Sequence, residues 1–260
     1  MKIKREESKK KIKNDIILLG ISKREAEELV KVSENLENDY ILLTKKVPIQ
    51  YLIGYVNFYG NKIRINKNVL IPRFETETLV EKVIKYIKYC ELVRPNILEI
   101  GTGSGCISIA LKKNINCKVT ATDILPKAIE LAKNNANLNH VELTVLRSNL
   151  FAKINGKYDV IVSNPPYISE NEKLSDIVNY EPSNSIYSPK NGLYYIEQII
   201  INSKCYMKNK SILALETGCN QEKEIEQILQ KYYAGSYWSF EKDLTGKIRY
   251  IFVFKGIKMH

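Results

Sequence analysis

The stretch Asn96-Ile97-Leu98-Glu99-Ile100-Gly101-Thr102-Gly103-Ser104-Gly105 decides the fold. A short, mostly apolar run with β character passes without a spacer into three alternate glycines, and a helix is expected from there to Lys113. Strand, tight turn and helix in direct succession form the opening unit of a doubly wound α/β sheet, in which ligands bind beyond the carboxyl ends of the strands at the switch point. Glycine belongs in such a turn because a side chain would block close approach of a ligand to the backbone, and because the turn can demand a positive φ.

Outward from this unit, strand and helix alternate: KVTATD, a helix opening at Pro126, VELTVL, then YDVIVSN. Beyond a loop come a helix near 192–207, SILALE, a helix near 220–231, and two terminal strands near 237–240 and 248–254 that read as an antiparallel end. This order predicts a mostly parallel sheet covered by helices. Toward the N-terminus the pattern changes. YVNFYGNKIRIN reads as a hairpin turning at Gly60 and Asn61, and a helix is expected from Glu75 to Tyr89. Before Pro48, three helices are expected: one over 5–19 with Ile12, Ile16 and Leu19 on its apolar face, one capped by Ser22 with Glu25 three residues on, and one from Asp39 to Lys45.

Composition narrows the class. The chain has 260 residues, 44% hydrophobic and 27% charged, with 12 Gly and 8 Pro, which excludes disordered, fibrous and collagen-like proteins. No apolar run reaches the roughly 20 residues that span a bilayer, and the start lacks the apolar core of a secretory signal, so a cytoplasmic location is expected. Five cysteines are scattered without metal or redox spacing and read as reduced core residues. Two histidines, His140 and His260, leave almost no material for a histidine-based triad or metal cluster; His140 is expected in a loop. A net charge of +11 fits a nucleic-acid partner or a solvated surface equally well.

Two strand ends carry the chemistry. The turn has the spacing G-x-G-x-G, and Cys106 stands where a dinucleotide fingerprint would need its third glycine. The shorter turn suits a ligand without a pyrophosphate, such as S-adenosyl-L-methionine. Twenty residues after Gly103, Asp123 ends KVTATD, where one carboxylate can accept from both hydroxyls of a ribose; the competing reading is a cap for the helix at Pro126. The second strand end is Ser163-Asn164-Pro165-Pro166-Tyr167-Ile168. Consecutive prolines stiffen the loop and remove two amide donors. The Asn164 oxygen and the Pro165 carbonyl then match the two hydrogens of an NH₂ group, and the Tyr167 ring is expected to stack on a flat substrate. Such a corner suits methyl transfer to a planar, poorly nucleophilic nitrogen, a carboxamide or a base amine. It needs no strong general base, because the methylated nitrogen is cationic and acidic.

At these residues the chain resembles the HemK/PrmC type protein-(glutamine-N5) methyltransferases, which modify the glutamine of the Gly-Gly-Gln motif in peptide-chain release factors. The resemblance also rests on PIQYLIG at 48–54, LIPRFETE at 70–77, Glu181-Pro182, Asn191-Gly192-Leu193, LETGCNQ at 215–221 and DLTGKIR at 243–249. It implies a class I S-adenosylmethionine-dependent methyltransferase, an α/β, Rossmann-like fold on a seven-stranded sheet. An N-terminal helical recognition domain would span 1–54, a linking β-hairpin 55–74 and the methyltransferase domain 75–260. The resemblance further implies that Gly101, Thr102, Gly103, Ser104, Gly105 and Asp123, with Asn149, Leu150 and Asn164, hold the cofactor, which leaves as S-adenosyl-L-homocysteine. Asn164, Pro165, Pro166 and Tyr167 would hold the glutamine amide, with Asn164, Pro165 and Tyr167 catalytic. The family often has Asp and Trp where this chain has Asn149 and Leu150, and a second proline at Phe74. Release factors are the expected partners of a monomer, without membrane or direct nucleic-acid binding. The rivals are an adenine-specific DNA or RNA methyltransferase, disfavoured because about 60 residues outside the sheet leave little for base extrusion and readout, and a catalytically silent binding module.

Overall fold

The computed structural model describes residues 2–259. Four helices come first: α1 (Lys2–Leu18), α2 (Lys23–Val32), α3 (Leu36–Thr44) and the one-turn α4 (Ile49–Ile53). They enclose a small apolar core of their own built on Ile16, Ala26, Leu29, Leu36, Leu43 and Ile49. Ser22 caps α2 as expected, accepting from the Glu25 amide at 3.2 Å. The reciprocal half differs: Glu25 accepts from the Ser22 hydroxyl at 2.6 Å and from Gln50 of α4 at 2.9 Å. A longer-range partner outcompetes the local amide, and the cap thereby joins α2 to α4. Helix α3 starts three residues earlier than expected because Asn35 caps it, accepting from the Asn38 amide at 3.1 Å. Leu19, expected on the buried face of α1, is exposed because α1 ends at Leu18 and the chain turns at Gly20 with φ +86°. The helix α4 was not expected; Pro48 stands at its N-cap position, and it stops at Gly54 with φ +82°.

The hairpin β1 (Tyr55–Phe58) and β2 (Asn61–Arg64) turns at Gly60, φ +76°. It is fastened to the body of the protein: Phe58, Ile63, Ile65, Val69 and Ile71 are buried in the same core as the helix α5 (Phe74–Tyr89). Then follow β3 (Asn96–Ile100), α6 (Cys106–Asn114), β4 (Lys118–Asp123), α7 (Pro126–Leu138), β5 (Thr144–Arg147) and β6 (Tyr158–Ser163). A short pair, β7 (Ile168–Ser169) with β8 (Tyr187–Ser188), fastens the base of the following loop. The chain closes with α8 (Tyr194–Tyr206), β9 (Met207–Glu216), α9 (Glu222–Tyr232), β10 (Tyr237–Lys242) and β11 (Ile248–Lys255).

Seven strands make one sheet in the order β10-β11-β9-β6-β3-β4-β5. β9, β6, β3, β4 and β5 are mutually parallel, and β11 runs antiparallel between β9 and β10, the expected antiparallel end. The chain runs outward from β3 to β5 and then returns to place β6 on the other side of β3. The switch point therefore lies between β3 and β6, with Ile100 opposite Ser163 in register. His140 follows α7 at φ +54°, in a turn as expected, and His260 lies outside the described residues. Of the cysteines, Cys90, Cys106 and Cys117 are buried, whereas Cys219 is half-buried and Cys205 exposed, correcting the expectation of five core thiols. The buried face of α8 carries Ile196, Ile199, Ile200 and Ser203, and Cys205 falls off that stripe. Among the described residues no helix is long and apolar enough to cross a membrane.

One wholly buried polar side chain joins the hairpin to the glycine turn. Asn135 of α7 accepts from the Arg64 amide at 2.8 Å and donates to the carbonyls of Arg64 at 2.9 Å and Ser104 at 2.8 Å. Asn135→Leu leaves those backbone groups without a partner and is expected to cost about 3 kcal/mol, read as a lower urea midpoint with unchanged slope.

Candidate functional site

At the carboxyl edge of the sheet the strand ends open into one cavity of about 830 Å³. Gly101, Thr102, Gly103 and Ser104 line it from β3, Asp123 from β4, Asn149 and Leu150 from the end of β5, and Asn164, Pro165 and Pro166 from β6. The glycine turn and the proline corner thus share one wall. Ser163 seals the seam between them, its hydroxyl donating to the Ile100 carbonyl at 2.6 Å.

The turn is built for a close ligand. Gly101 and Gly103 have φ of +72° and +53°, and a Cβ at either would meet open space. Gly105 differs: it caps α6 at φ +83°, and a Cβ there would sit 3.2 Å from Ala132 of α7, so it sets helix packing and does not line the cavity. Asp123 is not the cap of α7, whose cap position is Leu125 with no side-chain bond. Its carboxylate instead accepts from the Gly103 amide at 2.9 Å and the Leu125 amide at 2.9 Å, tying the two turns together. Burial raises its pKa, and these amide bonds oppose the rise.

Beneath the turn lies Glu99, which no motif of the local sequence marks out from a core strand residue. Its Oε2 accepts from the Thr102 hydroxyl at 2.7 Å, from the Ser108 amide at 3.1 Å and from the Ser108 hydroxyl, while Oε1 is buried without a partner. Burial pushes its pKa up to about 7, against those bonds. Leu150, at φ +47°, brings no aromatic surface, but Phe151 and Tyr206, stacked at 4.8 Å, line the same wall.

The proline corner is held from behind. Asn164 Nδ2 donates to Thr76 Oγ1 at 2.9 Å, and the Thr76 hydroxyl donates to Glu216 Oε2 at 2.8 Å. Among the described residues nothing donates to Asn164 Oδ1 or to the Pro165 carbonyl. Tyr167 departs from its expected stacking role. It does not line the cavity; its hydroxyl donates to Glu216 Oε1 at 3.1 Å, and the Arg249 guanidinium lies 6.0 Å from its ring centre. The buried carboxylate needs a second donor, and Tyr167 is placed to supply it. Burial raises the Tyr167 pKa and pushes that of Glu216 up to about 7.

The motifs that the sequence reading noted around the corner converge on it. Gln221 donates to the Tyr167 carbonyl at 3.1 Å and to the Asn191 carbonyl at 3.3 Å. Gly192 lies so close to that Tyr167 carbonyl that a Cβ would overlap it. Glu181 accepts from the Ile71 amide at 2.9 Å and pairs with Arg73, fixing the segment that leads into α5. Phe74, where a second proline is usual in the resembling family, begins α5 and is 63% exposed.

Glu99 and Glu216 both have pKa values raised above the ordinary 4.5 to about 7. A raised carboxylate contributes stability that is complete below pH 4.5 and is lost as pH rises through 7. The urea midpoint is therefore expected to fall between pH 5 and pH 8, and Glu99→Gln to flatten that fall; a midpoint that rises over the same interval would contradict the assignment. Gly192→Ala is expected to displace the proline corner, read as loss of ordered resonances for residues 164–168.

Comparison with known proteins places this architecture. Residues 75–180 match the family model described as Methyltransferase small domain. A crystal structure of a methyltransferase from Pyrococcus furiosus superposes with a TM-score of 0.57 at 22% identity, covering 76% of this chain and 90% of that one, a likeness of fold. A release factor glutamine methyltransferase from Fusobacterium nucleatum is 42% identical over 82% of this chain, which spans 62% of that protein's length. Another of the same name from Streptococcus pneumoniae is 36% identical over 85% of this chain and 79% of its own length. The chain belongs to the release factor glutamine methyltransferase family.

Proposed function

We propose that this protein transfers a methyl group from S-adenosyl-L-methionine to the side-chain amide nitrogen of the glutamine in the Gly-Gly-Gln motif of peptide-chain release factors. One observation carries the reading: Asn164 and Pro165, whose Oδ1 and carbonyl oxygen accept no hydrogen bond among the described residues, line the same cavity as the glycine turn. The residues present suit the cofactor. The open space over Gly101 and Gly103 admits a ligand against the backbone, and Asp123 keeps lone pairs for ribose hydroxyls beyond the two amides it accepts from. Asn149 and Leu150 line the same half of the cavity, and Glu99, buried beneath the turn, holds Thr102 and Ser108 in place behind it.

When bound, the cofactor supplies an electrophilic methyl on a sulfonium. Everything else falls to the chain. Asn164 Oδ1 and the Pro165 carbonyl accept the two N–H groups of the entering carboxamide and orient its nitrogen. An amide nitrogen is a poor nucleophile because its lone pair is delocalised. Two acceptors aimed at its hydrogens stabilise the positive charge that develops as that conjugation is lost. The cationic nitrogen is acidic enough to give its proton to water, so catalysis needs no histidine, and among the described residues none lines the cavity. Tyr167 serves by supporting Glu216. The helical unit and hairpin, residues 1–74, would grip the release factor, with the exposed Phe74 at the junction.

Radiolabelled methyl is expected to pass from S-adenosyl-L-methionine to a purified release factor, to be lost when the acceptor glutamine is replaced, and to leave DNA unlabelled. Label in DNA and none in the release factor would overturn the reading. Asn164→Ala is expected to lower turnover roughly 100-fold with little change in cofactor affinity. Asp123→Ala should do the reverse, weakening cofactor binding about tenfold for one lost charge-assisted bond, measured by calorimetry.

A further inference from the structure

A primary amide is nearly symmetric in shape, so the packing around Asn164 can fix where its side chain lies without fixing which end is oxygen. Prolines 165 and 166 offer no amide that could settle it. The selection comes from Thr76, beside Asn164 in the cavity wall, and from Glu216 behind it, through bonds whose direction is dictated one after another. Glu216, 1% exposed at the end of β9, accepts at both oxygens, from Thr76 at Oε2 and from Tyr167 at Oε1. That is the pattern of an ionised carboxylate, which only accepts; the relay therefore operates above about pH 7, where Glu216 has lost its proton. The Thr76 hydroxyl has a single hydrogen and gives it to Glu216 Oε2 at 2.8 Å. The Thr76 oxygen can then only accept from Asn164, which meets it with Nδ2 at 2.9 Å. Among the described residues nothing donates to the opposite end of the amide, Oδ1.

We propose that Thr76 and Glu216 are positioning residues that hold the Asn164 amide oxygen-outward, so that the enzyme accepts a hydrogen from the substrate NH₂ group. The inference rests on the glutamine-amide reading above. A flipped Asn164 would set its own NH₂ against that of the substrate, two donors face to face, with positive hydrogens where positive charge develops.

Several features make the relay stiff. Thr76 lies in the first turn of α5, 3% exposed, and its β-branching restricts χ1. The start of α5 is fixed by Arg73, which pairs with Glu181 and whose carbonyl accepts from the Thr76 amide at 3.2 Å. Tyr167 holds the other oxygen of Glu216 at 3.1 Å, so the carboxylate cannot rotate without losing a partner. Fold stability alone does not call for this arrangement, since a buried carboxylate is costly to desolvate and an apolar packing of similar volume is often as stable.

The test uses the full chain and compares Thr76→Val, which keeps the shape and removes the hydroxyl, with Thr76→Ser, which restores it. Methylation of a purified release factor at saturating S-adenosyl-L-methionine is expected to slow roughly 10- to 100-fold in Thr76→Val and to stay within about threefold of the parent in Thr76→Ser. Binding of S-adenosyl-L-homocysteine, measured by calorimetry, should change by less than about twofold in both. The Asn164 side-chain NH₂ resonances of the free protein should exchange slowly with solvent in the parent and in Thr76→Ser, and rapidly in Thr76→Val. Should Thr76→Val not fold, Thr76→Ala is read in its place with the same expectations. Thr76→Val turning over at the parental rate, or Thr76→Ser as slow as Thr76→Val, overturns the proposal. So does an Asn164 NH₂ group that is equally exposed in all three proteins. A parent that labels no release factor would instead overturn the substrate reading, and the exchange measurement would still decide the orientation of Asn164.

Discussion

Everything chemical in this protein depends on the parallel pairing of β3 with β6, in register from Ile97 opposite Val160 to Ile100 opposite Ser163. A one-residue slip would turn every side chain of a strand to the other face. Here it would also move the proline corner out of step with the glycine turn. Val160, Ile161, Val162, Ile97 and Leu98 are wholly buried, so the register is held by apolar packing on both faces, as expected for the centre of a parallel sheet. At the last residue packing gives way to a specific bond, from the Ser163 hydroxyl to the Ile100 carbonyl at 2.6 Å. That bond closes the seam where the sheet ends and the cavity begins.

Around this seam the protein places buried carboxylates where an ordinary core would have apolar groups. Glu99 lies under the glycine turn and Glu216 behind the proline corner, each about 1% exposed and each with its pKa raised by burial. Both occupy strand ends, Glu99 one residue before the end of β3 and Glu216 at the last residue of β9. Both gather hydroxyl donors from the first turns of helices: Ser108 of α6 for Glu99, Thr76 of α5 for Glu216. The two halves of the cavity are built on one device, a desolvated acid that fixes the direction of neighbouring hydrogen bonds. The cost of desolvation is a cost to folding, and the gain is a defined donor and acceptor pattern at the cavity wall.

The sheet and its helices were legible because strands at the centre of a parallel sheet read as apolar runs and the intervening helices as longer segments; NILEI, KVTATD and YDVIV each appear where expected. Boundaries failed where a cap or turn acted at a distance from the periodic pattern, as at Asn35 for α3 and Pro48 for α4. In the site, the places of Asp123, Asn164, Gly101 and Gly103 at the cavity were legible because they stand at strand ends, whereas Gly105 packs α6 against α7. Thr76, Glu99 and Glu216 were not singled out, because each is one polar residue in an otherwise ordinary stretch. What gives each a role is a partner 9 to 140 positions away in sequence, which only folding reveals. One signal was available: an acidic residue at the end of an apolar strand, as in LEI and ALE, is costly to bury without a task. Tyr167 was misread for the complementary reason. Its place in the motif suggested a ring stacked on the substrate, whereas its hydroxyl donates to Glu216.

The motifs scattered along the chain are therefore parts of one support. LETG supplies Glu216, FETE supplies Thr76, and Gln221 and Gly192 clamp the Tyr167 carbonyl. Glu181 reaches back to Ile71 and Arg73 to set the start of α5, and Arg249 lies over the Tyr167 ring while accepting the electrostatic company of Asp243 at 3.4 Å. Each fragment is separated from the proline corner by tens of residues, yet each acts on its backbone or on the hydrogen bonds behind Asn164. A corner with two locked φ angles has little freedom to adjust to its surroundings. The surroundings must be built to the corner, and that requirement is spread over five segments, 70–77, Glu181, Gly192, 215–221 and 243–249, well beyond the proline corner itself.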